Sequence, residues 1–386
     1  MPVTPPPLAL YVHMPWCVKK CPYCDFNSHA LRGEPGYAQY IDALLADLDG
    51  DRADFADALA GRPVVSVFFG GGTPSLFGPE HIARFLAGAR TRLPFADDCE
   101  ITLETNPGTV EHGRFDGYMA AGVNRLSFGI QSFDDDKLKR LGRIHTADEA
   151  EAAVQLAREA GYTNFNLDFM YALPDQTVAG ALADIERAIR LEPTHISHYQ
   201  LTIEPNTAFY AKPPKLPDDD TAWDIQEACQ ARLADAGYGQ YEVSAYARPG
   251  RRCRHNVNYW QFGDYLGIGA GAHGKLTDAM GRVTRRWKRR SPDGYMHAPD
   301  HAARTDGTSV ITAEQLPFEY MLNALRLIDG VPMADFSART GLSPDAIAAP
   351  LAKAVANGWI EPSTTRLRTT AEGQRLLNDV ITLFMA

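Results

Sequence analysis

Leu8-Ala9-Leu10-Tyr11-Val12-His13-Met14-Pro15-Trp16-Cys17-Val18-Lys19-Lys20-Cys21-Pro22-Tyr23-Cys24 sets an apolar run directly before three thiols in a C-x3-C-x2-C spacing. Residues 8–13 read as a buried strand. Three cysteines this close together can converge on one inorganic centre without help from distant chain. A ligand loop at the end of a strand that opens a series of βα units stands where barrel proteins carry their chemistry.

Outward from that loop, strand-like and helix-like segments alternate, the pattern of parallel βα units. Tyr37, Tyr40, Ile41, Leu44, Leu45 and Leu48 make one apolar helical face. Residues 64–69 form a second buried strand running into Gly70-Gly71-Gly72-Thr73-Pro74-Ser75. Further strands fall at 100–104, 125–130, 164–168 and 195–201, with helices at about 79–90, 110–121, 134–141, 147–160 and 179–191. A helix at 218–236 leads to one more strand, 241–244, outside the six repeats. The fold class predicted is α/β: a partial parallel (β/α)6 barrel of the TIM type, although periodicity alone also admits an open doubly wound sheet. Residues 248–307 have no regular period and read as a loop-rich connector. Helices at 313–328, 333–340 and 344–357, a ribbon from 358–361 and 366–369, and a helix at 371–383 resemble a winged-helix domain. The expected division is therefore 1–247, 248–307 and 308–386.

Composition agrees with a folded globular chain: 386 residues, 45% hydrophobic and 22% charged, with no apolar run long enough to span a membrane. The proline-rich start at 1–7 lacks the basic and apolar regions of a signal peptide and reads as an extended lead-in. Six cysteines, three of them clustered and Cys99, Cys229 and Cys253 scattered, favour a reducing cytoplasm and a bound metal centre over a disulfide scaffold. A net charge of −10 argues against nucleic acid as a partner, in spite of the C-terminal winged-helix pattern. Against that average stands Arg285-Arg286-Trp287-Lys288-Arg289-Arg290, which reads either as a solvated face or as a local anion site.

The thiols themselves could hold zinc, with His13 or His29 closing the tetrahedron, or an iron–sulfur cluster with one iron left open. The loop, with aromatic Tyr23 before its third thiol, resembles the signature of the radical S-adenosylmethionine (radical SAM) enzymes. That resemblance implies a [4Fe-4S] cluster on Cys17, Cys21 and Cys24, whose open iron binds the amino and carboxylate groups of S-adenosylmethionine, and an electron donor for the cluster. Gly71, Gly72 and Thr73 resemble the glycine-rich motif that receives the methionine ammonium, the absence of a Cβ letting backbone approach a ligand. Polar groups recur at the ends of strands, which a barrel brings to one rim: Tyr11, Glu104, Gln131, Asp168 and Thr202. With Tyr23 and Arg143, whose guanidinium can pair with a carboxylate, the set resembles the S-adenosylmethionine pocket of the oxygen-independent coproporphyrinogen oxidase group. The likeness covers essentially the whole chain.

Two branches of that group differ in chemistry. The decarboxylating oxidase has a further cysteine two residues after the third cluster thiol, where this chain has Phe26. The other branch, the HemW-type heme chaperones, carries H-N-x-x-Y-W, here His255-Asn256-Val257-Asn258-Tyr259-Trp260. His255 offers an imidazole for an axial bond to heme iron, with Cys253 and His273 as rivals, and Tyr259 and Trp260 offer flat apolar surface to a porphyrin. The basic run would suit the heme propionates. The expectation is a heme chaperone on a radical SAM scaffold without coproporphyrinogen decarboxylase activity. Its implied partners are heme and heme-accepting respiratory proteins, with peripheral membrane association and a homodimer as further expectations. The competing readings are a coproporphyrinogen III dehydrogenase, or another radical SAM enzyme acting on a tetrapyrrole, and a zinc-stabilised binding protein.

Overall fold

The computed structural model describes residues 5–108 and 114–385. Its main body is one sheet built from β1 (Leu8–Met14), β2 (Val64–Gly71), β3 (Phe95–Thr105), β4 (Arg125–Gln131), β5 (Phe165–Tyr171), β6 (His195–Gln200), β7 (Gly239–Glu242), β8 (Ala245–Ala247), β9 (Asp264–Ile268), β10 (His273–Thr277), β11 (Val283–Lys288) and β12 (Thr305–Val310). The strand order is β12-β11-β10-β9-β1-β2-β3-β4-β5-β6-β8-β7. From β1 to β6 every neighbour is parallel, and helices connect successive strands, so the six repeats read from the sequence form a partial barrel. The predicted helix at 110–121 begins at Phe115 among the described residues, its first part lying outside them.

The stretch 248–307, expected to be a loop-rich connector, instead adds regular structure. β9 pairs parallel with β1 as a seventh strand on its free side, and β10, β11 and β12 continue the sheet antiparallel. Lys275 and Lys288, on β10 and β11, are buried with acidic partners, so these strands carry charge where a strand pattern calls for apolar residues. That is why their periodicity is hidden.

Alternation within the barrel strands does the positioning. Leu10 and Val12, Val67 and Phe69, Ile101 and Leu103, Leu126 and Phe128, Phe165 and Leu167, and Ile196 join the core under the helices. The residues between them, among them Tyr11, Phe68, Glu104, Arg125, Ser127, Asn166, Asp168, His195 and Ser197, line the cavities of the barrel. Side chains alternate across a strand, so one face builds the core and the other is left free for chemistry.

A second core joins Tyr241, Ala245, Phe262 and Val283 to the C-terminal helices Leu316–Ala324, Met333–Thr340, Asp345–Ala356 and Leu377–Thr382. The predicted final helix is broken at Leu376 into Ala371–Arg375 and Leu377–Thr382. The expected ribbon is present as an Ile360–Thr369 bridge, and Arg366–Leu367 also pairs with Val331–Pro332.

Arg289 and Arg290 of the basic run are exposed, but its other cations are not an open anion patch. Arg285 pairs with Glu319, Arg286 with Asp51 at 2.7 Å and Asp54 at 2.8 Å, and Lys288 with Asp47 at 2.6 Å and Asp51 at 2.9 Å. Lys288, Asp47 and Asp51 are buried, and Tyr295 donates to Asp47 at 2.7 Å. Removing one partner of such a group strands the others in low dielectric, at a cost of about 3–5 kcal/mol. Lys288→Ala is therefore expected to lower unfolding stability by about that amount in urea denaturation; a change of under about 1 kcal/mol, as for an exposed pair, would contradict the reading.

Candidate functional site

Cys17, Cys21 and Cys24 border one cavity of about 260 Å³. The loop is held at its ends: Trp16–Cys17 pairs with His29–Ala30, and the Asn27 side chain donates to the carbonyls of Ala270 and Arg290, both at 2.8 Å. Burial pushes the Cys17 and Cys24 thiols above their ordinary pKa, so a cationic centre would have to displace their protons on binding. Arg143 donates to Cys21 Sγ at 3.8 Å and to the Gly129 carbonyl at 2.7 Å. Neither proposed fourth zinc ligand lines this cavity. His13 has Nε2 on the Asn27 carbonyl at 2.9 Å, which makes Nδ1 the acceptor of the Tyr11 hydroxyl at 3.0 Å. Three thiols on an open cavity fit a cluster with one free iron better than a closed zinc site.

The glycine turn docks against the same loop. The Gly72 and Thr73 amides donate to the Met14 and Trp16 carbonyls, both at 2.7 Å. Gly71 has φ +113°, and a Cβ on Gly72 would stand 2.5 Å from the Trp16 carbonyl oxygen, so neither position accepts a side chain. The Gly71 amide donates to Glu104 at 3.1 Å. Burial, with Asp168 nearby, pushes the Glu104 carboxyl up to about 8 against that hydrogen bond. Asp168 accepts from Ser127 at 3.1 Å and Asn166 at 2.8 Å. Gln131, at φ +73°, accepts from the Tyr199 hydroxyl at 2.8 Å. Tyr23, Gly71, Gly72, Thr73, Glu104, Gln131, Arg143 and Asp168 thus share the thiol cavity. Thr202 does not: it is exposed beyond β6, and Tyr199 on that strand takes the position expected of it.

A larger chamber of about 700 Å³ adjoins this cavity, and Phe26, Gly71, Glu104, Ser127 and Asp168 line both. Tyr11 faces this chamber rather than the thiols. One wall is the helix Arg254–Trp260, which lacks a side-chain cap of its own; Glu100 from β3 accepts from the Arg254 amide at 2.9 Å instead. On that helix His255 is buried, stacked on Phe68 with centroids 4.9 Å apart, and its Nδ1 meets Ser66 Oγ at 3.2 Å. Burial, reinforced by Arg125, lowers its pKa to about 3, so the imidazole is neutral and able to bind a metal through Nε2. Tyr259 stacks on Tyr265 at 4.1 Å, and Trp260 lies under Arg326 at 4.3 Å. Of the rival ligands, Cys253 is buried against Glu100 at 3.6 Å with its thiol pushed up to about 12, while His273 is exposed and stacks on Trp287. Arg290, alone of the basic run, lines the chamber.

Sequence reasoning did not single out Asn106, Ser127, Asn166, His195, Ser197 and Tyr199. Asn106 donates to Thr73 Oγ1 at 2.8 Å and accepts from Arg143, joining the glycine turn to the arginine. The others follow a readable signal. Parallel strands buried on both faces are normally apolar throughout, so the alternating polar residues Arg125, Ser127 and Gln131 of β4, Asn166 and Asp168 of β5, and His195, Ser197 and Tyr199 of β6 mark a lined interior.

The fold and the thiol cavity define a radical SAM protein. Residues 11–188 match the Radical SAM superfamily and residues 311–376 the HemN C-terminal domain. Coproporphyrinogen III oxidase (HemN) from Escherichia coli, a radical SAM enzyme, superposes with a TM-score of 0.81 at 25% identity, over 98% of this chain and 90% of that one. The heme chaperone HemW of Escherichia coli K12 is 51% identical over 381 residues, 99% of each chain, and that of Haemophilus influenzae is 50% identical over 380 residues, 98% of each. The chain belongs to the HemW heme-chaperone family.

Proposed function

We propose that this protein is a cytoplasmic heme chaperone that carries heme in its larger chamber, beside a [4Fe-4S] and S-adenosylmethionine site, and delivers it to respiratory membrane proteins. The observation that carries this reading is the shared wall: the chamber lined by His255, Tyr259 and Trp260 abuts the cavity of the three thiols. In the domain division that goes with it, 1–247 is the barrel, 248–307 supplies the chamber wall, and 308–386 is the C-terminal domain. Among the described residues no helix is long and apolar enough to cross a membrane, so contact with membrane partners would be peripheral.

Cys17, Cys21 and Cys24 would hold the cluster, which when bound supplies an open iron and a one-electron reductant to S-adenosylmethionine. Glu104 with the Gly71–Thr73 turn would receive the ammonium group, and Arg143 the carboxylate. A carboxyl that ionises near pH 8 receives an ammonium ion better once deprotonated. Affinity for S-adenosylmethionine is therefore expected to rise as pH increases through about 8. Glu104→Gln should flatten that rise and weaken binding about 10-fold on its alkaline side, followed by calorimetric titration; an unchanged pH profile in the variant would refute the assignment.

Phe26, at the position of the oxidase's additional thiol, is 60% exposed and lines both cavities. No sulfhydryl stands there, which supports carriage over decarboxylation. The test is an anaerobic assay of the reconstituted protein for stoichiometric heme binding and for conversion of coproporphyrinogen to protoporphyrinogen. Sustained conversion would establish the dehydrogenase instead.

A further inference from the structure

Arg125 opens β4 on its inward face, is only 2% exposed, and lines the larger chamber. Among the described residues its guanidinium makes no hydrogen bond or ion pair, and its Nε is buried without a partner. Guanidinium groups cannot shed their charge to escape burial, and buried cations are ordinarily paired. The surrounding polar groups are engaged elsewhere. Glu100 accepts from the Arg254 amide and the Cys253 thiol, Asp168 from Ser127 and Asn166, and His195 is held between Asn166 at 2.6 Å and Tyr241 at 2.8 Å. Burial opposes the Arg125 charge, while Cys253, Glu100, Tyr241 and Asp168 nearby help to hold it.

This is an unfilled planar fork at the inner wall of a chamber whose other walls include Phe68, Tyr259 and Trp260. Its shape matches a carboxylate in bidentate contact. With Glu100 and Asp168 close by, a single negative charge suits the site better than a polyanion. We propose that Arg125 is the carboxylate anchor of the chamber and that, resting on the heme reading above, it receives one propionate of the porphyrin. A flat apolar ring against the aromatic wall, with one acidic arm reaching Arg125, also fixes the orientation in which the ring enters.

The test uses the full-length protein and two metal-free probes, mesoporphyrin IX and its dimethyl ester, so that axial ligation contributes nothing. Fluorescence quenching is expected to show the free acid binding about 10- to 100-fold more tightly than the ester to the wild-type protein, as for a charge-assisted contact. Arg125→Gln should erase most of that preference by weakening the acid alone, and Arg125→Lys should restore part of it. Arg290 is the other guanidinium lining the chamber, so Arg290→Gln is measured beside it. A preference that survives in Arg125→Gln and disappears in Arg290→Gln would overturn the proposal. Equal binding of acid and ester by the wild-type protein, a result that needs no variant to fold, would overturn it as well. Wild-type protein that binds neither porphyrin nor heme would remove the heme reading itself and the anchor with it, an outcome distinct from binding without discrimination.

Discussion

Cys17→Ala, Cys21→Ala and Cys24→Ala will each yield a reconstituted protein without the broad brown absorbance of an iron–sulfur cluster and with nearly all of its iron lost. The loop offers three thiols to the cavity, and Cys99, Cys229 and Cys253 are buried elsewhere, outside its lining. A missing thiolate therefore has no sulfur to replace it, and a cluster with two protein ligands is open to solvent and to loss. Burial strengthens the case: the Cys17 and Cys24 thiols have raised pKa values, so without the centre they stay protonated and neutral. Cys17→Ala and Cys24→Ala should consequently fold, since what each removes is a neutral thiol. Iron analysis and the visible spectrum check this, with far-UV circular dichroism as the control. Zinc in stoichiometric amount with no colour in the wild-type protein would instead return the loop to a structural metal site.

His255→Ala will weaken heme binding at least about 10-fold and shift the Soret band. Loss of even an outer partner of a ligating histidine typically costs a metal site 10- to 100-fold. The imidazole is fixed on one face by Phe68 at 4.9 Å between centroids and at one edge by Ser66 on Nδ1 at 3.2 Å. Because its pKa lies near 3, no proton has to leave when iron arrives, and heme affinity should be level across the neutral range. Ser66→Ala should show a smaller loss in the same direction. A Soret band and affinity unchanged in His255→Ala would transfer the ligand role to Cys253 or His273. A retained His255 requirement with a steep fall below neutral pH would contradict the neutral imidazole.

How much of this was legible in the sequence depended on how local the signal was. The cysteine loop and the glycine turn were readable because their chemistry is set by spacing within a few residues, and the six repeats because their outward faces are apolar at regular intervals. The sheet extension through β9 to β12 was not. Its strands are short, and Lys275 and Lys288 sit inside them, the first neutralised by Asp264 on the neighbouring strand β9 and the second by Asp47 and Asp51 from far away in the chain. Pairing of that kind is invisible until the fold brings the partners together. Thr202 illustrates a different loss. Counting to the end of β6 led past the strand, whereas following its alternation from His195 through Ser197 leads to Tyr199, which lines the thiol cavity. Arg125 is hidden for another reason: it opens β4, whereas the polar residues that mark the rim close their strands.

Heme carriage on a radical SAM barrel and catalysis on it differ in what leaves the protein. One anaerobically reconstituted preparation, loaded with heme and mixed with a heme-free respiratory acceptor, separates them most directly when the same preparation is also given coproporphyrinogen, S-adenosylmethionine and a reductant. Heme is expected to move to the acceptor, followed by the shift of its Soret band, while no protoporphyrinogen accumulates. Protoporphyrinogen formed over many turnovers, with heme neither bound nor transferred, would contradict carriage.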